Sequence, residues 1–306
     1  MAACGAMSDL GPVLRPLEGG HSGLTFLGEV GGERAVVRVY PPGAPRGDAA
    51  PEVDQAVLRL VRGLLPVPDV LEVRHADAAT GRLGLLVTSW LPGERGDLVV
   101  ARLSSAGDAD GLARVGASTG AVAAALAGMP MLRPGPFVDA ELTVGAFPDG
   151  GLEDWVTSRL AHWPESRRVA LVEVAGRAQD LLDTQRRTCL VHSDLNPKNL
   201  LVDPDTLEVT GVLDWEFAHA GHPWTDLGNL LRFERDPSYV EGVLDAWASR
   251  HGGAAGALLD GARAADLWAL VDLASRERDN PVADRAATLL AAVAQADDLH
   301  AWPDPS

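Results

Sequence analysis

Lysine is almost missing from this sequence: one of its 306 residues, Lys198, is lysine, and arginine supplies nearly all the positive charge. Carboxylates outnumber Lys and Arg by 43 to 26, for a formal net charge of −17. Nucleic acid is excluded as a partner, because phosphate backbones are held by clustered basic residues. Cysteine is nearly as scarce. Cys4 falls in the N-terminal tail and Cys189 in an apolar run, so neither a disulfide framework nor a cysteine metal site is expected. No stretch approaches the ~18 uninterrupted apolar residues of a membrane helix. Met1 to Leu10 lacks the basic region and apolar core of a secretory signal. These absences point to a cytoplasmic protein with no membrane partner.

What is present reads as globular. Apolar residues at 46% and charged residues at 23% match an ordinary soluble domain, and the length suffices for one large or two ordinary domains. The negative charge is uneven. Residues 1–93 hold 8 arginines against 10 carboxylates, whereas the remainder holds 18 basic against 33 acidic side chains. Such a field concentrates cations, although an acidic surface also serves solubility alone.

Period-2 patterning predicts strands at Val13 to Leu17, Leu24 to Val30 and Arg34 to Tyr40. Gly31-Gly32 marks a hairpin between the last two. Pro41, Pro42 and Gly43 break the chain before a helix from about Pro51 to Leu64. Strands Val70 to Arg74 and Leu83 to Thr88 complete a sheet, and Pro92-Gly93 marks a hinge. Helical periodicity follows from about Gly111 to Met129 and Gly151 to Thr184. Short apolar strands at Cys189 to Val191, Leu200 to Val202 and Val209 to Leu213 precede an Ala-rich helical remainder from Trp224 to about Leu299. The expected fold class is α+β: a sheet-rich lobe over residues 1–91 and a mostly helical lobe over 92–306.

The chemistry concentrates in Val191-His192-Ser193-Asp194-Leu195-Asn196-Pro197-Lys198-Asn199, an H-x-D-x-x-x-x-N pattern between two apolar strands. Thr210-Gly211-Val212-Leu213-Asp214-Trp215-Glu216 follows on the next strand. Phosphoryl transfer needs a carboxylate beside the acceptor hydroxyl and hard oxygen ligands for a divalent cation. One rigid turn carrying Asp194 and, five residues on, Asn199 supplies both, and Asp214 adds a second carboxylate. In these motifs the chain resembles the aminoglycoside-phosphotransferase family, a branch of the protein-kinase-like fold, from about Pro12 to Leu231.

The resemblance implies ATP and Mg²⁺ as cofactors, Asp194 as catalytic base, and Asn199 and Asp214 as metal ligands. It implies structural support from His192 and from Asp226, which would brace the catalytic loop through its N–H groups. Gly20, Ser22 and Gly23, within Gly19 to Gly23, stand where a phosphate-cradling hairpin belongs. Arg38 takes the place of the usual strand lysine and keeps its charge and phosphate-gripping fork. Its expected partner on the following helix is Asp54, with Glu52 as the alternative. Backbone groups of Ser89 and Leu91 are the expected adenine contacts.

The acceptor is expected to be a cationic small molecule, an aminoglycoside or a basic peptide antibiotic of the viomycin and capreomycin kind. Carboxylates drawn from Glu216, Asp266, Asp272, Glu277 and Asp279 would line its site. The rival expectations are a same-fold kinase for choline, homoserine or a sugar derivative, and a nucleotide-binding module without catalysis.

Overall fold

The computed structural model describes residues 14–17, 24–41, 46–77 and 79–303. The glycine-rich segment with Gly20, Ser22 and Gly23, the start of the first expected strand, and the break at Pro42-Gly43 lie outside the described residues. Strands β1 (Arg15–Pro16), β2 (Leu24–Val30), β3 (Glu33–Tyr40), β4 (Val70–Arg74) and β5 (Gly84–Ser89) form an antiparallel sheet in the order β1-β2-β3-β5-β4. The β2–β3 hairpin closes through Gly31 and Gly32, both at positive φ (61° and 87°). That geometry matches the right-handed twist of the strands and demands glycine.

Helix α1 (Ala50–Val61) packs beside this sheet. Val53, Val57 and Val61, spaced by four, are fully buried, the apolar stripe of a helix with one covered face. It ends three residues short of the expected Leu64, because Arg62 turns out of helical geometry and Gly63 adopts a φ of 84°.

After Gly93 come β6 (Glu94–Arg95) and α2 (Gly96–Ala106). The sequence pattern does not announce α2, since Val99-Val100 and Ser104-Ser105 are indifferent helix formers. Packing makes it: Val99, Val100 and Leu103 are buried. Its first residue must be glycine, because a Cβ on Gly96 would lie 2.7 Å from the Pro197 carbonyl oxygen. This close approach seats the start of α2 against the turn that carries Asn199.

The remaining elements are α3 (Ala109–Ala127), β7 (Pro130–Met131), β8 (Gly135–Pro136), α4 (Leu152–Arg159), α5 (Glu165–Asp183), β9 (Thr188–Val191), β10 (Leu200–Val202), β11 (Val209–Val212), β12 (His219–Gly221), α6 (Thr225–Leu231), α7 (Pro237–His251), α8 (Ala255–Ala274) and α9 (Pro281–Ala296). Two small sheets, β11-β10-β6 and β7-β9-β12-β8, flank the loop after β9. Helices α3 and α7 meet backbone to backbone. A Cβ on Gly242 would lie 2.3 Å from the Ala113 carbonyl oxygen, so only glycine permits that crossing.

A continuous core runs from α1 through α3 and β9 to α7, around Phe137, Leu195 and Trp247. A second joins α4, α5, α8 and α9 around Leu160 and Leu171. Among the described residues no helix is long and apolar enough to cross a membrane.

Candidate active site

The segment after β9 is held from two sides. On one side α6 presents Asp226, whose Oδ2 accepts the His192 N–H at 3.0 Å and whose Oδ1 accepts the Ser193 N–H at 2.9 Å. One helical turn on, Asn229 Oδ1 accepts the Leu195 N–H at 3.2 Å. These bonds hold Ser193 at a φ of 66°, left-handed backbone that a residue other than glycine adopts only when its surroundings impose it. Burial pushes the Asp226 carboxyl up, opposed by His192 and by the two N–H groups it binds.

On the other side stands His192, fully buried and 4.6 Å ring to ring from Trp215. Its Nδ1 accepts the Asp194 N–H at 3.3 Å, which leaves Nε2 to donate to the Leu213 carbonyl at 2.8 Å. The ring thus ties the Asp194 backbone to the segment between β11 and Asp214.

Asp194 is oriented by two amides. Asn196 Nδ2 donates to its Oδ1 at 2.8 Å, and Asn199 Nδ2 donates to its Oδ2 at 2.7 Å and to its carbonyl at 2.9 Å. The short helical turn Pro197–Asn199 makes this possible. Asn196 caps it by accepting the Lys198 N–H, and Pro197 supplies the preset φ. Asn199 in turn accepts the Leu213 N–H through its carbonyl at 2.9 Å, so the turn and the approach to Asp214 move as one. Asp214 itself is left-handed, with φ 63° and ψ 63°.

Arg38 reaches this cluster from β3. Its Nη1 lies 2.6 Å from Asp214 Oδ1 and its Nη2 2.7 Å from Glu216 Oε2. Burial disfavours the guanidinium charge, and Asp214 and Glu216 outweigh it, holding Arg38 protonated above its ordinary value.

The expected ion pair of Arg38 with Asp54, or with Glu52, is therefore corrected. Asp54 is claimed by Arg46 and by the Tyr40 hydroxyl, which donates to Oδ2 at 2.6 Å, while Glu52 pairs with His75. Arg46 also donates to the carbonyls of Trp215 and Ala218, so α1 is fastened to the Asp214 segment through Arg46. Burial pushes the Asp54 carboxyl up, against the pull of Arg46 and Tyr40.

At the edge of β5, Ser89 is bonded to Asp69. Its N–H donates to the Asp69 carbonyl at 2.8 Å, and its Oγ accepts the Asp69 N–H at 2.9 Å. Leu91 follows Trp90, whose N–H donates to the Arg34 carbonyl at 3.2 Å.

The five acidic residues expected around an acceptor do not converge. Glu216 is bound by Arg38. Asp266 is buried and gives both oxygens to Arg232, at 2.7–3.0 Å. Asp272 pairs on the surface with Arg159 and Arg276. Helix α8 stops at Ala274, so the face that was to join Asp272 and Asp279 is broken, and Glu277 and Asp279 lie exposed beyond it. The reason for Asp266 is charge balance: a buried Arg232 requires a carboxylate.

Arg46, Asn196, Asn229 and Trp215 belong to the site without having been singled out. Asn229 was within reach, since it stands one helical turn after Asp226 in an apolar helix and must spend its amide somewhere. Arg46 sits in a Pro/Gly-rich stretch with no periodicity, where no pattern marks it.

The model of a phosphotransferase enzyme family, APH, matches residues 13–259. In shape the chain is similar to the GDP complex of aminoglycoside 2′-phosphotransferase-IIIa, with 16% identity, a TM-score of 0.65, and 97% of this chain and 96% of that one covered. It is also similar to a thermostable mutant of aminoglycoside phosphotransferase APH(4)-Ia in ternary complex with AMP-PNP and hygromycin B, with 20% identity, a TM-score of 0.65 and 95% of each chain covered. At such identities the likeness is one of fold, the kinase-like α+β arrangement. Among curated proteins the chain is similar to acyl-CoA dehydrogenase family member 11 of Mus musculus, 42% identical over 55 residues. It is also similar to family member 10 of the same organism, 32% identical over 81 residues. The chain spans 7% and 8% of the length of those relatives, and the matches take in 18% and 24% of this chain.

Proposed function

Because the chain belongs to the phosphotransferase enzyme family, we propose that it moves the γ-phosphoryl group of ATP, with Mg²⁺, onto a hydroxyl of a cationic small molecule. That it is a small-molecule phosphotransferase follows from the family; the nucleotide, the metal, the acceptor and the residue roles are the proposal. The observation that carries it is the fixed Asp194 carboxylate, pinned by Asn196 and Asn199 on a loop that Asp226 and Asn229 hold rigid. A base held in one orientation accepts the hydroxyl proton without first losing side-chain freedom.

The donors suit magnesium. The Asp214 side chain is 30% exposed, and Asn199, with its NH₂ turned to Asp194, has its amide oxygen left for a hard cation. Among the described residues no group of three or more His, Cys, Asp or Glu is placed to hold a metal. One carboxylate and one amide oxygen, completed by substrate phosphates and water, is the way Mg²⁺ is commonly held. When bound it would neutralise phosphate charge. Arg38 supports the same reading by presenting a planar fork beside Asp214, and Gly20, Ser22 and Gly23 would cradle the phosphates. Ser89 and Leu91 would meet the adenine where the lobes divide, between Leu91 and Pro92.

The excess of carboxylates beyond residue 93 supports a cationic acceptor of the aminoglycoside or viomycin and capreomycin kind, and one fold neighbour holds hygromycin B. One observation favours the second reading, a same-fold kinase for choline, homoserine or a sugar. The carboxylates expected to grip a polycation are engaged by arginines or displaced to the surface. A panel of both acceptor classes, incubated with ATP and read by mass spectrometry beside Asp194→Asn, separates these. A mass gain of one phosphoryl group on a basic antibiotic supports the first. Absence of turnover with every acceptor would leave a nucleotide-binding module.

A further inference from the structure

We propose that the space between α6, α8 and α9 is a site for a small monovalent anion, a halide such as chloride. Three guanidinium groups, from Arg232, Arg235 and Arg263, line it against one carboxylate, Asp266. Asp266 is spent on Arg232, which it meets at 2.7–3.0 Å. Arg263, 7% exposed, donates from Nη1 to the Leu231 carbonyl, yet its Nε has no hydrogen-bond partner among the described residues. The Nε of Arg235 is likewise buried without a partner, although its Nη1 lies 3.3 Å from the same carbonyl and its guanidinium stacks 4.6 Å from the Trp302 ring.

Asp266 acts on Arg235 as well as on Arg232, Glu234 and Arg285 act on Arg235 with opposite sign, and Asp194 acts on Arg232 from its loop. In the lining itself three guanidinium groups face one carboxylate, and the other walls are apolar side chains of α8, of α9 and of Leu299 beyond it. Burial lowers the Arg235 guanidinium to about 10, a cost that a bound anion relieves. Buried N–H donors without acceptors are expensive, and an anion accepts from several directions at once.

Size selects the ion. The cavity is partly open, and its inner part has room for a body of about one water molecule. Chloride is only slightly larger, whereas phosphate and sulfate exceed it and carry more charge. The site also has a route to the catalytic loop. Arg232 binds Asp266, Asp266 accepts from Asn229 Nδ2 at 3.3 Å, and Asn229 accepts the Leu195 N–H. An anion that steadies the arginines steadies the loop that bears Asp194. This inference does not depend on the nucleotide or the acceptor.

The test uses the whole chain exchanged into sodium gluconate, then titrated with sodium chloride, bromide or acetate at constant ionic strength while the thermal midpoint is read. Chloride and bromide should raise the midpoint saturably by a few degrees, and acetate should not. Arg263→Met should lack that rise. If it fails to fold, Arg235→Gln, at a half-buried side chain, gives the same comparison. A crystal soaked in bromide should show an anomalous peak in the cavity lined by Arg232, Arg235 and Arg263. Equal midpoints in all three salts, a rise retained in the variants, or density with no anomalous signal would overturn the site and leave a cavity that holds water.

Discussion

Arg38 on β3 lies 2.6 Å from Asp214, so the residue standing where a strand lysine is usual is paired to the proposed metal ligand and not to the carboxylate of α1. Its second arm goes to Glu216 at 2.7 Å, and the three side chains join the five-stranded sheet to the segment after β11. Phosphates and a cation entering there would have to share Asp214 with the guanidinium. The expected energetic partners of Arg38 are therefore Asp214 and Glu216.

A double-mutant cycle between Arg38→Ala and Glu216→Ala, read on the nucleotide KM, should give a coupling of about 0.5–3 kcal/mol. The same cycle between Arg38→Ala and Asp54→Ala should give a smaller coupling, because the two meet through Tyr40, whose ring lies 5.4 Å from the Arg38 guanidinium and whose hydroxyl donates to Asp54. Coupling of equal size in both cycles would restore the helix carboxylate as the partner.

Asp194→Asn should lower kcat by about 10² to 10⁴, the span that a positioned general base contributes. Nucleotide affinity should stay within a few-fold, because Asp194 is bound by Asn196 and Asn199 and not by Arg38. Asp214→Ala should do the reverse and remove the Mg²⁺ dependence of nucleotide binding in a calorimetric titration. A variant at Asp194 that keeps most of its kcat would remove it from the role of base.

Histidine burial sets a pH window for stability. Burial lowers His222 from 6.5 to about 4, and His219 likewise. Between those values the unfolded chain takes up protons that the folded chain refuses, so stability is present above about 6.5 and is lost as pH falls toward 4. Asp54 and Asp226, raised by burial, act with the opposite sign, because their folded forms gain protons first on acidification. The test is therefore differential: His222→Gln should lose less stability between pH 7 and pH 5 than the wild type in urea unfolding. Parallel losses would place the acid sensitivity elsewhere.

What was legible in the sequence was what local chemistry repeats. The β2–β3 hairpin shows in Gly31-Gly32 between alternating apolar residues, β4 and β10 match the expected strands to the residue, and the turn that bears Asp194 shows in the spacing of His192, Asp194 and Asn199 between two apolar strands. Helix α2 was hidden, because its helicity comes from Val99, Val100 and Leu103 packing inward rather than from propensity. The partners of Arg38 and Asp54 were hidden for a related reason. Spacing along one helix says which residues share a face, whereas Arg38 meets Asp214 and Glu216 across 176 and 178 residues of chain. The acidic surplus was legible as a sum but not as a site, since a count of carboxylates does not show how many are matched by arginines.

Asp266 and Asp272 separate those two meanings of an acidic residue. Both stand on α8, six residues apart, and both were expected near an acceptor. Asp266 is 4% exposed, bound to Arg232 by three contacts and to Asn229 by one. Removing it leaves a buried guanidinium without a counter-charge, which costs about 3–5 kcal/mol, and loosens Asn229 from the loop that bears Asp194. Asp272 carries exposed pairs with Arg159 and Arg276, worth about 0–1 kcal/mol. Asp266→Ala should thus lower the denaturation midpoint sharply and reduce kcat, leaving the acceptor KM with the same salt dependence as the wild type. Asp272→Ala should leave stability within about 0.5 kcal/mol. If Asp266→Ala instead keeps wild-type stability and flattens the rise of acceptor KM with added NaCl, then Asp266 faces the acceptor after all, and its pairing with Arg232 yields when substrate binds.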